Sequence, residues 1–386
     1  MVDIAIVRTN SVLTDPRLIK IVRSLGKKYS LLVLGWNREG ANINAAKSVS
    51  LPSNIAKTHN LVFKIFELKA PIGKASIISY LPLIIYFPIF WIWVFIKLIN
   101  YRPQVVHACD LDTALPCYVY KLILRKRMIF EVFDRYAMTF ISSKLGAFHS
   151  VINLFEDLYS ERADYVITVG EKLLKTFRKR PKNYGIIMNC PEDYTLLRSK
   201  SQEQKGISEK PFSLVYTGGM KKGRYLENIV AAVKDLHDVE LVTAGPIVDR
   251  QFFDQIVAAA NVKYKGLLKP DDSLELETHA DVMIGLYDLQ IPENKYALPN
   301  KLFEAMMCGI PIITNVATEV VEETNCGIIL NDMDPASIKA SILLLKDDSK
   351  LCNKLGENGR RGFVSKYNWA KMEDKLYEIY EYLLKN

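Results

Sequence analysis

Paired cysteines, clustered histidines and a leader-like start are all missing from this chain, and each lack narrows what it can be. The six cysteines (Cys109, Cys117, Cys190, Cys308, Cys326, Cys352) are scattered over 386 residues without a C-x-x-C pair, as expected of a reduced, cytosolic protein. Five dispersed histidines offer no zinc cluster. Asp3 comes too early for the basic start of a signal peptide. No RNA-binding motif and no interleaving of basic and aromatic residues argues for nucleic acid. The longest gap is in charge itself: Ala75 to Ile96 contains no charged residue among its 22.

The length suits two domains, each with a full core. Net charge is +8, unevenly spread. Residues 1–190 carry 27 Lys and Arg against 13 Asp and Glu, and the remainder carries 24 against 30. A basic first half joined to an acidic second half suggests that only the first meets an anionic partner, and an anionic membrane surface fits that best.

The apolar run sharpens this. It holds Phe87, Phe90, Trp91, Trp93 and Phe95, and 22 residues at ~1.5 Å each could cross a bilayer's hydrocarbon core. A spanning helix, a buried core helix and a helix lying in the membrane interface compete. Pro82 and Pro88 interrupt helix continuity and weaken spanning, and the strands on either side should pair in one sheet, which a bilayer between them would forbid. Interfacial docking over 75–99 is the expectation, with Lys64, Lys69, Lys74, Lys97 and Arg102 as flanking cations.

Along the chain, Ile4–Val7, a polar loop, a helix from Leu18 to Leu25 and Leu31–Leu34 form the opening of a doubly wound α/β domain. Val105-Val106-His107-Ala108-Cys109-Asp110-Leu111-Asp112 is a strand ending in Asp-x-Asp, a pattern that elsewhere holds a metal; Asp112 reads instead as a helix N-cap. Met128–Asp134 is another strand, with Asp134 at its carboxyl end, the usual ligand side of such sheets. Asn189-Cys190-Pro191 reads as a hinge. The second domain opens with the strand Phe212–Tyr216 and the turn Thr217-Gly218-Gly219-Met220-Lys221-Lys222-Gly223-Arg224. A glycine-rich turn after a strand lets backbone approach a phosphate, with cations beside it, although the turn is neither G-x-G-x-x-G nor a P-loop.

The most informative stretch is Tyr296 to Ile313. Pro299 suits a first helical position, Leu302, Phe303, Met306 and Met307 follow at helical spacing, and Gly309 ends the helix before a buried strand. Glu304 lies one turn in, on the side of Asn300 and Lys301. Free N–H groups, a lysine and a carboxylate one turn deeper suit a phosphate and the hydroxyls of a ribose. An ordinary helix packed on a sheet, with Glu304 solvated, would show the same spacing.

Pro-Asn-Lys-Leu-Phe-Glu followed by Gly-x-Pro-x-Ile resembles the nucleotide-sugar site of glycosyltransferase family 4, and the resemblance extends over essentially the full length. It implies the GT-B fold: two doubly wound, Rossmann-like α/β domains facing a cleft. Residues 1–190 would bind the acceptor, 191–368 the nucleotide sugar, and 369–386 would form a helix crossing back to the first domain. The implied reaction is retaining transfer of a sugar from a nucleotide diphosphate sugar to a hydroxyl, without metal or other cofactor.

The resemblance gives Glu304 the donor ribose, and Arg224 and Lys222, with Gly218, Gly219, Asn300 and Lys301, the diphosphate. Backbone near Leu268 would line the base pocket. Arg8 and Arg17 could meet an acceptor phosphate, and Asp110 and Asp134 could orient sugar or acceptor hydroxyls. The family's earlier glutamate, eight positions before Glu304, is replaced by Tyr296. A basic, apolar first domain further suggests a lipid-linked acceptor at the inner membrane face, in cell-surface glycan or polysaccharide assembly. A nucleotide-sugar epimerase of the same fold and a non-catalytic sugar-binding protein are the rival readings.

Overall fold

The computed structural model describes residues 2–10, 12, 15–38, 61–69, 81–141, 146–194 and 211–385, the side chains of 81–84, 139–141 and 146–148 excepted. The chain divides into two compact units, Met1–Met188 with Glu373–Asn386, and Asn189–Met372. The second boundary falls inside the last helix, later than expected at 369, because Trp369 N–H donates to the Pro191 carbonyl at 3.0 Å and keeps the helix start with the second unit.

The first unit contains a parallel sheet in the order β3-β2-β1-β4-β5-β6-β7, with β1 Ile4–Val7, β2 Leu31–Trp36, β3 Leu61–Phe66, β4 Val105–Cys109, β5 Arg127–Val132, β6 Tyr165–Thr168 and β7 Tyr184–Ile186. Strands β1, β2 and β4 are buried throughout, which is why they read as continuous apolar runs rather than alternating ones. Helix α1 (Pro16–Leu25) starts where the Asp15 carboxylate accepts from the Arg17 and Leu18 amides. Helices α2 (Leu81–Tyr101), α3 (Leu111–Leu124), α4 (Tyr136–Ile141), α5 (Gly146–Arg162) and α6 (Glu171–Leu174) follow.

Helix α2 corrects one expectation. It runs unbroken through Pro82 and Pro88. Pro82 falls in the first turn, where no N–H is needed, and Pro88 forfeits a single backbone bond. Burial of Phe90, Val94 and Leu98 outweighs that loss. The tryptophans do not form the outer face. Trp91 donates its indole N–H to the Asp112 carbonyl at 2.6 Å, and Trp93 packs on Phe66 and Phe90. The outward stripe is Ile85, Ile89, Ile92 and Ile96, 70, 46, 62 and 51% exposed. No helix among the described residues is long and apolar enough to cross a membrane; Lys74 and residues 75–80 lie outside the described residues.

The second unit repeats the plan, with parallel order β10-β9-β8-β11-β12-β13. Its strands are β8 Phe212–Thr217, β9 Val239–Ala244, β10 Val262–Tyr264, β11 Val282–Gly285, β12 Ile312–Thr314 and β13 Gly327–Ile329. Its helices are α7 Leu226–Val233, α8 Arg250–Ile256, α9 Pro270–Thr278, α10 Asn300–Cys308, α11 Thr318–Thr324, α12 Pro335–Asp347 and α13 Ser349–Ser365; α14, Trp369–Lys385, carries the chain back into the first unit's residues. Pro299 is the residue before α10, not its first member. In each sheet the strand order reverses once, between β1 and β4 and between β8 and β11. Such reversals open a crevice beyond the strands' carboxyl ends, where ligands of these folds bind.

Candidate functional site

At the reversal point of the second unit, the turn after β8 meets the start of α10. The Lys301 ammonium projects over the turn: a Cβ built on Gly218 would lie 2.8 Å from Lys301 Nζ, and Nζ stands 5.0 Å from the centre of the Tyr216 ring. Any side chain at 218 would displace this cation. The turn is also held against the next strand, since a Cβ on Gly245 would come within 2.1 Å of the Gly218 carbonyl oxygen. The Gly218 N–H donates to the Ala244 carbonyl at 2.7 Å.

Arg224 lies over the Tyr287 ring at 4.0 Å and donates to Asn294 at 3.4 Å. Asn294 in turn donates to the Asp288 carbonyl at 2.8 Å, so the guanidinium is held by both stacking and a hydrogen bond. Burial lowers the Lys301 pKa, and Glu304 and Glu277 oppose that by favouring the charged form. Asn300, exposed at the helix start, accepts from Asn189 at 2.9 Å. Lys222 is exposed beside the turn, Leu268 is half-buried after β10, and Tyr296 ends the short 3-10 turn Pro292–Tyr296. The structure thus brings Gly218, Gly219, Arg224, Lys301 and Glu304 into one neighbourhood.

Glu277 belongs there too, and sequence reasoning missed it. Near the end of α9, it accepts from the Thr217 hydroxyl at 2.6 Å. In the sequence Pro-Asp-Asp-Ser-Leu-Glu-Leu-Glu-Thr it looks like one more surface acid. Only its spacing from Leu274, one turn back on the buried side of the helix, hints otherwise.

The first unit gathers a second set of groups where β1, β4 and β5 end. Arg8 pairs with Asp110 and, at 3.2 Å, with Asp15, and lies 4.3 Å over the Phe133 ring. Asp110 also accepts from the Phe133 amide at 2.9 Å. It holds a backbone φ of +64° and ψ of 172°, a region costly for a residue with a side chain. Asp112 is not the N-cap expected. It sits inside the first turn of α3 and is bound by Thr9 and by the Tyr136 hydroxyl at 3.1 Å.

Arg17 is placed differently from expectation as well. Its guanidinium is buried, spent on Glu131 at 3.0 Å and on the Ile187 carbonyl at 2.7 Å, which is a structural task rather than an open phosphate site. Glu131 also lies 2.9 Å from His107, whose other ring nitrogen is 2.6 Å from the Tyr380 hydroxyl of α14. Asp134 is exposed in the bend after β5, whereas Asp110 is buried.

The two buried strand-end carboxyls are driven apart. Burial pushes Asp110 up to about 7, against Arg8 and with help from Asp112. Burial also opposes ionisation of Glu131, but Arg17 and His107 outweigh it and hold that carboxyl down to about 2. For Asp110 the folded state keeps a proton that the unfolded chain gives up near 3.8, so its contribution to stability falls as pH rises from about 4 to about 7. Asp110→Asn should therefore gain on the parent as pH rises from 5 to 8, by on the order of 2–4 kcal/mol. Urea midpoints at four pH values test this; a pH-independent difference would refute it.

The chain resembles known glycosyltransferases in sequence and in fold. Residues 198–362 match the family of group 1 glycosyl transferases. An uncharacterized glycosyltransferase of Methanocaldococcus jannaschii is 25% identical over 299 residues, covering 71% of this chain and 73% of that protein. Among solved structures, HepE of Anabaena in complex with UDP and glucose superposes with a TM-score of 0.71 at 14% identity, over 99% of this chain and 100% of that one. WaaG, a glycosyltransferase involved in lipopolysaccharide biosynthesis, gives 0.66 at 16% identity, over 97% and 99%. The fold is the GT-B architecture of two Rossmann-like units.

Proposed function

We propose that the chain, whose residues 198–362 match the group 1 glycosyl transferases, moves a sugar, with retention, from a nucleotide diphosphate sugar to a hydroxyl acceptor. The observation that carries this reading is the Lys301 ammonium set over Gly218 at the reversal point of the second sheet. Breaking the sugar–phosphate bond leaves new charge on the diphosphate, so cations placed beforehand stabilise the transition state more than the ground state. Lys301, Arg224 and the amides at the start of α10 meet that charge, Lys222 adds to the field, and Glu304 takes the ribose hydroxyls. Backbone around Leu268 lines the base. HepE was solved with UDP and glucose, which supports a uridine nucleotide as the first donor to try.

The acceptor side belongs to the first unit. Arg8, paired with Asp110, meets acceptor phosphate or hydroxyls, and Asp110 orients them, with Asp134 at the rim. The test is incubation with a panel of nucleotide sugars, with and without acceptor lipids. A saturating donor should raise the melting temperature by roughly 5–10 °C, and sugar should appear on acceptor only. Conversion of the donor without acceptor would make the protein an epimerase, and no response to any nucleotide sugar would end the proposal.

The acceptor is lipid-linked and the protein works as a peripheral protein on the inner membrane face, in cell-surface glycan assembly. Three findings support this: the basic excess of residues 1–190, the isoleucine stripe on α2, and further exposed apolar side chains on α3 (Leu122, Ile123) and α5 (Val151, Leu154, Phe155). Lys97 and the exposed Arg102 close the stripe, as at a surface of anionic lipid. Each exposed isoleucine leaving water contributes on the order of 1–2 kcal/mol. The triple variant Ile89→Asn, Ile92→Asn, Ile96→Asn should partition at least about 100-fold less onto anionic vesicles in flotation. Unchanged flotation would exclude docking through this face.

A further inference from the structure

Glu277 stands outside every role assigned so far, yet it lies at the centre of the donor neighbourhood. Its residue is only 1% exposed. One carboxyl oxygen, Oε1, receives the Thr217 hydroxyl at 2.6 Å. The other, Oε2, is buried with no hydrogen bond of normal geometry, although the Ser273 hydroxyl one turn back favours its charge. Thr217 is the last residue of β8, directly before Gly218-Gly219. Helix α9 packs on α10, which brings Glu277 towards Lys301 and Glu304. A buried acid with an unsatisfied oxygen is normally selected against, because the lost hydration is not repaid. Here it faces the cation on which the proposed diphosphate rests.

We propose that Glu277 is a positioning residue of the donor site, one that fastens the Gly218-Gly219 turn through Thr217 and sets the field in which Lys301 meets a nucleoside diphosphate. This rests on the donor reading above and adds a residue and a behaviour to it. Two acids, Glu277 and Glu304, and two cations, Lys301 and Arg224, act on one another here. Burial, then Glu304, raises the Glu277 pKa well above the ordinary carboxyl value, while Thr217, Lys301 and Ser273 act against them. The shift favours the protonated acid, and a protonated Glu277 leaves Lys301 to face the phosphates with less competition. As pH rises Glu277 loses its proton, and its new negative charge opposes the incoming diphosphate. Nucleotide binding is then coupled to proton uptake.

The experiment is titration calorimetry with UDP from pH 7 to 9.5, where the terminal phosphate, with a second pKa of about 6, is already ionised. Affinity of the parent should fall by about tenfold or more over that range as the site loses its protons. Glu277→Gln keeps an acceptor for Thr217 but cannot ionise. It should lose much of the parent's fall in affinity between pH 7 and 9.5. Glu277→Ala, which frees Thr217 as well, should bind about tenfold or more weakly at pH 7.

A parent-like pH profile in Glu277→Gln overturns the proposal, as does parent-like affinity in a folded Glu277→Ala. If the alanine variant does not fold, the glutamine profile decides. A parent that binds none of UDP, GDP, ADP or dTDP overturns the donor reading and this inference together. A parent that binds while both variants match it overturns this inference alone.

Discussion

Lys301→Ala should lower kcat by roughly 10²–10³-fold, the loss expected when one preorganised donor to a developing anion is removed. The ammonium is positioned before any ligand arrives: Gly218 leaves the space it fills, and the Tyr216 ring bounds it at 5.0 Å. Because charge on the diphosphate grows as the glycosidic bond breaks, more of the effect belongs in kcat than in KM. Lys301→Arg should recover little, since a guanidinium is wider than the space over Gly218 allows. Removing Lys301 also leaves Glu277 and Glu304 facing each other without the cation, so the melting temperature should be measured beside the kinetics. A variant that turns over at the parent rate would place the leaving-group charge elsewhere. A variant that loses only KM would make Lys301 a binding residue alone.

The largest effect on stability should come from Glu131→Gln in the first unit. Glu131 is fully buried and serves Arg17, His107 and, through His107, Tyr380 at once. Taking one partner from a buried ion pair leaves the other uncompensated, at a cost of about 3–5 kcal/mol. For a unit of this size that lowers the melting temperature by roughly 6–20 °C. Adding Arg17→Met should restore part of the loss, because the stranded guanidinium is then gone. The parent's stabilisation by Glu131 is present above the unfolded value of 4.5 and is lost as pH falls towards 2, the reverse of Asp110. Acid unfolding of the parent should therefore be steeper than that of Glu131→Gln below about pH 4.5. Matching melting curves and acid profiles would show that the network carries little of the fold's stability.

How far these sites could be read from the chain depends on how local they are. The Gly218-Gly219 turn and the Asn300–Glu304 helix start each occupy a few consecutive residues, so the order of glycines, cations and carboxylate showed them directly. The doubly wound class was equally legible, because strands buried on both faces leave uninterrupted apolar runs such as Leu31–Leu34. Glu277 was not legible, since its partners Thr217 and Lys301 are distant in the chain and meet only through packing. Arg17 was misjudged for a related reason: no pattern pairs it with Glu131, which is 114 positions away. The outer face of α2 could have been found from the spacing of Ile85, Ile89, Ile92 and Ile96. The conspicuous tryptophans and prolines drew attention instead to residues that turn inward or do not break the helix.

The close approach of Gly245 to the Gly218 carbonyl sets a limit on how this protein can be altered. Position 245 lies outside every motif, yet any side chain there would strike the backbone that carries the donor turn. A saturation library across the second unit should find 245 as intolerant as 218, with alanine already inactive at both. Attempts to retarget the nucleotide should therefore hold these two glycines fixed and vary the surroundings of Leu268 and Tyr296, both half-buried.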